Sequence, residues 1–145
     1  MTIPRRTDPL TPAARSAHMG KIRGAHTLPE RQVRSLLHTL GLRFRLHPAA
    51  LPGRPDIVLR RHGTVVFVHG CFWHRHPACR GATTPKTNRG FWLRKFRANV
   101  RRDAANQRDL RMAGWRVVVV WECELARPTR LRSRLQRLFA PARRA

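Results

Sequence analysis

Acidic residues are scarce in this chain: 7 Asp and Glu stand against 31 Lys and Arg, a formal net charge of +24 over 145 residues. A surplus of that size over one domain makes a polyanion the expected partner, bound in large part by counterion release and so weakened steeply by salt. Lysine is scarce too. Only 3 of the 31 basic residues are lysine, so the charge is carried by arginine, whose planar fork suits bidentate contact with phosphate and base edges. Arginine excess also follows from GC-rich coding, so composition points to nucleic acid without proving it. With 3 cysteines complete pairing is impossible, and in a reducing compartment they suggest metal ligation or free thiols rather than a disulfide framework. No apolar run reaches the roughly 18 residues of a membrane span, and the opening Met-Thr-Ile-Pro-Arg-Arg lacks the apolar core of a signal peptide. A cytoplasmic location is expected. Internal repeats and low-complexity tracts are absent, and the length suits one domain with a true core.

What is present is organised around Val65 to Cys79, where a short apolar run breaks at Gly70 and two cysteines, three histidines and a Phe-Trp pair fall between His69 and Cys79. Packing alone does not call for that mixture. Upstream, residues 1–26 read as a loosely attached basic arm, with a short helix over about 12–22. Thr27 to Gly41 has helix grammar. Thr27 caps, Pro29 fits the first turn, and Glu30 completes a Thr-x-x-Glu capping box. Val33, Leu36, Leu37 and Leu40 recur at helical spacing, and Gly41 suits the stop.

Leu42, Phe44 and Leu46 alternate with Arg43, Arg45 and His47, predicting a half-buried strand with a basic outer face. After a Pro- and Gly-rich turn, Ile57 to Leu59 and Thr64 to His69 form an antiparallel hairpin. Gly70 to Gly90 is a long irregular loop. Phe91 to Ala113 reads as a helix with Trp92, Phe96, Val100 and Ala104 as its apolar stripe. Trp115 to Trp121 reads as a buried strand, and Thr129 to Phe139 as a basic C-terminal helix. The order gives an α/β fold: a central mixed sheet flanked by helices, compatible with a restriction-endonuclease-like core.

Three constellations carry chemistry. Cys71, His76 and Cys79 have Cys-x4-His-x2-Cys spacing, and Cys123 follows the last strand. Together they would make a closed, structural Cys3His zinc site that uses every cysteine and pins the loop to the strand end. The alternative is ordinary buried thiols, and His74 rivals His76 as the histidine ligand. Second, Asp56 opens one hairpin strand while the next ends at Val68 and His69. A carboxylate opposite backbone carbonyls suits Mg2+, and His69 and His74 lie near enough to act as acid, base or phosphate donor. No second acid or lysine stands on that strand, and Asp56 reads equally as a turn residue. Third, Phe72-Trp73 and Phe91-Trp92 bring rings beside arginines, as wedges between base steps or as a small core. Trp73 fits the wedge and Phe91 the core; Trp115 and Trp121 need only a packing role.

At these residues the chain resembles the very short patch repair (Vsr) DNA mismatch endonucleases. The resemblance rests on Leu51 to Leu59, Val66 to His76, Thr84 to Asn88 with Phe91-Trp92, and Gly114 to Cys123, and spans about Met19 to Leu125. It implies nicking of double-stranded DNA 5′ to the T of a T·G mismatch left by 5-methylcytosine deamination, on a restriction-endonuclease-like core with a structural zinc. By position it implies Asp56 and the Val68 backbone carbonyl as Mg2+ ligands, His69 and His74 as active-site histidines, and Glu30 as the acid supporting the second of these. Cys71, His76, Cys79 and Cys123 are implied as zinc ligands, and Phe72, Trp73 and Trp92 as intercalating rings. The expected organisation is an arm at 1–26, the endonuclease domain at 27–126 and a basic helix and tail at 127–145. The expected protein is a nucleoid-associated bacterial monomer, with mismatch-repair proteins as candidate partners.

Overall fold

The computed structural model describes residues 26–141; the predicted helix over 12–22 and all of the arm but His26 lie outside them. Helix α1, Leu28–Thr39, starts as its grammar requires: Thr27 Oγ1 accepts the Glu30 N–H and Pro29 occupies the first turn. It ends where Gly41 takes φ 76° and donates its N–H to the His38 carbonyl, a conformation that costs glycine little.

Strand β1 is shorter than its alternation predicts, only Arg45–Leu46, and both residues are exposed. His47 leaves the strand at φ 43°, and Pro48 has no N–H with which to extend the ladder. Strand β2 is Ile57–Leu59 and β3 is Thr64–His69, joined by a single helical turn at Arg60–His62 and Gly63. Helix α2, Arg89–Met112, crosses to strand β4, Arg116–Trp121. A turn at Glu122–Ala126 leads into helix α3, Pro128–Leu138.

The sheet order is β1-β2-β3-β4. The first three strands are antiparallel (Leu46 opposite Ile57, Val58 opposite Val65), whereas β3 and β4 are parallel, with His69 opposite Trp121. This is the expected mixed sheet flanked by helices. Its period-two alternation splits the core. Ile57, Leu59, Val66, Val118 and Val120 pack with Val33 and Leu37 of α1 and Leu131, Leu135 and Phe139 at α3. Val58, Val65 and Phe67 face the other way and pack with Leu110 of α2. Each fully buried aliphatic contributes about 1.5–3 kcal/mol. Helix α3 therefore belongs to the same core as the sheet, and Arg134 ties it there by donating to both Glu124 oxygens at 2.8 Å and to the Val119 carbonyl at 3.0 Å.

Two expectations need correction. Strand β4 is only half-buried: Val118 and Val120 are enclosed, but Val117, Val119 and Trp121 are partly open, because β4 is the outer strand of the sheet. On α2, Val100 and Ala104 are exposed; the inward face runs Phe96, Asn99, Asp103, Asn106, Leu110. That stripe has helical spacing, but its middle is polar because it faces a cleft instead of the core.

Candidate active site and metal centre

The cleft has a volume of about 690 Å3 and lies between the start of α1, the turn before β2, the end of β3 and the polar face of α2. Glu30, Asp56, Asp103 and Glu122 all line it. These are four of only 7 acidic residues in a chain of net charge +24. Carboxylates that have no reason to gather for packing are gathered at one place.

Asp56 enters from a tight turn. Gly53 (φ 71°) and Arg54 (φ 44°) both have left-handed backbone, and a Cβ on Gly53 would come within 2.8 Å of the Asn106 side chain. Only glycine lets the turn lie this close to α2. Asp56 Oδ2 accepts the Val68 N–H at 2.7 Å, and Val68 lines the same cleft. Burial drives the Asp56 carboxyl up from 3.8 to about 6, against the Val68 hydrogen bond that lowers it, and the nearby Glu30 charge adds to the rise.

Glu30 has a different partner from the one implied by resemblance. Its Oε2 accepts from the His26 N–H at 3.1 Å, Arg34 Nη2 at 3.0 Å and lies 3.1 Å from His47 Nε2. It does not meet His74. The acid beside His74 is Asp103, whose Oδ2 lies 2.6 Å from His74 Nδ1. Helix α2 delivers Asp103 one turn beyond Asn99, which donates to the Trp73 carbonyl at 3.2 Å. One helix face thus fixes both the loop backbone and the histidine on it. The Glu30 carboxylate takes the His26 N–H, one residue before the Thr27 N–H that a full capping box would use, so only the Thr27 half of the expected box is formed.

His69 ends β3 and is buried. Its ring is stacked on that of His74, centroids 3.8 Å apart. Burial first, and the neighbouring His74 second, push His69 down from 6.5 to about 4, so it is neutral at physiological pH. Asp56, His69 and His74 therefore share one cleft, with a Glu30–His47–Asp56 cluster on one side and a His69–His74–Asp103 cluster on the other.

The loop after His69 is closely knit despite its lack of regular structure. The Arg75 guanidinium donates to the carbonyls of Phe72, Ala82 and Thr83 and to Thr84 Oγ1, and lies 4.0 Å over the Phe96 ring. Cys71 Sγ, Cys79 Sγ, Cys123 Sγ and a His76 nitrogen all fall within 4.8 Å of one another. His76 Nδ1 is 3.8 Å from Cys71 Sγ and 3.4 Å from Cys123 Sγ. Tetrahedral zinc with such ligands places neighbouring donors roughly 3.5–3.8 Å apart, so the four residues fit that ion. Burial raises the Cys71 thiol to about 12, while the Gly81 N–H lowers Cys79. His74, the rival ligand, is in the other cluster.

Phe72, Trp73 and Trp92 meet in one ring cluster, Phe72–Trp73 at 4.9 Å and both other pairs at 5.8 Å. All three are half-buried. The ring beneath them is Phe96, 4% exposed, whereas Phe91, expected in the core, is 52% exposed; Phe96 faces the loop and Phe91 lies on the outer side of the helix start. Trp121 does more than pack. Its ring stacks on His76 at 4.2 Å and meets His69 edge-on at 5.3 Å, linking the two histidine sites.

Residue reasoning passed over His47, Asn99, Asp103 and Arg75. Asp103 left a readable signal: a rare acid on a polar stripe at helical spacing. His47 left none, because in the predicted strand it pointed outward.

Residues 7–80 match the family model described as DNA mismatch endonuclease Vsr. The chain is 47% identical over 136 residues to the type II nicking enzyme V.XorIIP of Xanthomonas oryzae pv. oryzae, covering 94% of this chain and 99% of that one. It is 46% identical over 113 residues to the DNA mismatch endonuclease Vsr of Escherichia coli, covering 78% and 72% respectively. Among solved structures, the catalytic domain of homing endonuclease I-Bth0305I superposes with a TM-score of 0.55 at 18% identity, over 79% of this chain and 95% of that one, in accord with the restriction-endonuclease-like core. On the strength of these matches, this chain is a member of the Vsr DNA mismatch endonuclease family.

Proposed function

We propose that this protein nicks double-stranded DNA 5′ to the T of a T·G mismatch, by Mg2+-dependent hydrolysis. The observation that carries the reading is the convergence of Asp56, His69, His74 and Asp103 in one carboxylate-rich cleft of a strongly basic chain. Arginines dock the duplex through phosphates and carry little sequence information. Phe72, Trp73 and Trp92 then enter the base stack. Unstacking costs a few kcal/mol per step and least at a mispair, which is one source of selectivity.

Asp56, with the Val68 backbone carbonyl, offers the hard oxygen donors that Mg2+ takes; when bound, the ion supplies charge neutralisation and an acidified water. His74 carries the proton, its ring aimed by Asp103 at 2.6 Å. Neutral His69 keeps the His74 ring in plane and offers an N–H to a phosphate oxygen. Glu30 holds the Asp56 side of the cleft through His47. Cys71, His76, Cys79 and Cys123 hold a structural zinc that fixes the loop.

The test is nicking of end-labelled duplexes with T·G, C·G and other mismatches, with and without Mg2+. The proposal expects a single metal-dependent nick confined to T·G. Cleavage of paired C·G at the same rate would make the protein a nuclease with another target, and no cleavage at all would make it a binding module.

A further inference from the structure

We propose that Arg102 is a further catalytic residue, whose guanidinium grips the phosphate being cut and offsets the negative charge that builds on it. The inference deepens the proposed hydrolysis and rests on it. Hydrolysis adds a water oxygen to phosphorus and breaks a phosphorus–oxygen ester bond. One proton of that water leaves through His74, and the departing oxygen takes one up from solvent. On the way the non-bridging oxygens gain charge, and a cation placed beside them beforehand lowers the barrier. Strand β3 supplies no such cation, since Val65, Val66, Phe67 and Val68 lead up to His69.

Among the described residues that line the cleft, the only arginines and lysines are Arg54 and Arg102, and Arg102 has its head group tied down. Its Nη2 donates to Asn99 Oδ1. That amide is oriented from the other side, because Asn99 Nδ2 donates to the Trp73 carbonyl at 3.2 Å, and Asn99 is buried. Arg102 is therefore anchored beside the loop that carries His74. The next residue along α2, Asp103, holds the His74 ring, so adjacent residues of one helix set guanidinium and proton carrier. The charge is also unspent. Arg34 pairs with Glu30 at 3.0 Å and Arg134 with Glu124 at 2.8 Å. No carboxylate among the described residues pairs with Arg102, although four line the same cleft. One N–H serves Asn99, and the exposed remainder of the fork can meet two phosphate oxygens at once, which an ammonium does not.

The test uses the full-length protein and whichever duplex the wild type nicks. Single-turnover nicking at saturating protein should fall about 100–1,000-fold in Arg102→Gln. Affinity for the uncut duplex, read by fluorescence anisotropy in chelator, should weaken less than about fivefold. Arg102→Lys keeps the charge and a donor for Asn99, so a merely structural role would leave it at wild-type speed; the lost fork should hold it at least about tenfold below. A saturated rate within about threefold of wild type in Arg102→Gln, or a defect confined to binding, overturns the inference and leaves the proposed nicking intact. A wild type that nicks no duplex overturns both. Should Arg102→Gln fail to fold, as judged by circular dichroism and thermal midpoint, Arg102→Lys decides, and wild-type speed there overturns the inference.

Discussion

The imidazole of His69 lies flat on that of His74, ring planes 5° from parallel and centroids 3.8 Å apart. Two cations would not stack this way in a half-buried site, and His69, held at about 4, stays uncharged at neutral pH; the proposed mechanism gives the proton to His74. Asp103 sets that neighbour's orientation. Asp103→Asn should therefore slow single-turnover nicking by about 10–100-fold, and His74→Ala by about 100–10,000-fold. DNA affinity should stay within a few-fold of wild type in both, as measured by fluorescence anisotropy.

The half-buried Asp56 carboxyl costs stability once it ionises. Ionising it inside the fold is harder than in the unfolded chain, so its cost is absent below about pH 4 and full above about pH 6, and metal-free stability falls as pH rises between 3.8 and about 6. His69 works in the opposite direction: unfolded histidine takes up a proton below 6.5, whereas the buried ring resists to about 4, so its contribution is lost as pH falls through that window. Asp56→Asn removes only the first effect. The variant should be more stable than wild type by about 1–3 kcal/mol at pH 7 and equal at pH 4, by urea denaturation in chelator. Added Mg2+ should stabilise wild type and not the variant.

The two nearby histidines separate by metal content. His76→Ala should lose bound zinc and several degrees of thermal midpoint, while His74→Ala keeps one zinc per chain by native mass spectrometry. Treating wild type with a strong chelator should also raise the reactivity of all three thiols together, since the proposed site places them on one ion.

Arg75 is the strut of the loop that carries Cys71, His76 and Cys79. Removing its side chain orphans the carbonyls of Phe72, Ala82 and Thr83 and uncovers the Phe96 ring. Arg75→Ala should destabilise the protein by about 2–4 kcal/mol and open residues 70–88 to limited proteolysis. Arg75→Lys, which keeps the charge and loses the fork, should recover less than half of that.

The periodic parts of the fold were readable because apolar side chains announce which face they bury. Val33 and Leu37 on α1, and the alternation of Ile57, Val58 and Leu59, place helix and hairpin without coordinates. The inner face of α2 was not readable in the same way. A stripe of Asn99, Asp103 and Asn106 looks like solvent-facing helix until the cleft it faces is known, so the apolar pair Val100 and Ala104 drew the assignment to the wrong side. The Cys and His spacing of the loop was legible because the loop is local. His47 was not, since its approach to Glu30 depends on a backbone reversal at φ 43° that alternation cannot signal.

One face of α2 grips three things in succession: the backbone of Trp73 through Asn99, the ring of His74 through Asp103, and the turn that carries Asp56 through the contact of Gly53 with Asn106. On the proposed mechanism, a base pair that displaced the Trp73 ring would pull on the same helix face that holds His74 through Asp103 and abuts the turn carrying Asp56. On that reading, damage sensing and bond cutting would share a single mechanical lever, and a change that retuned one would shift the timing of the other.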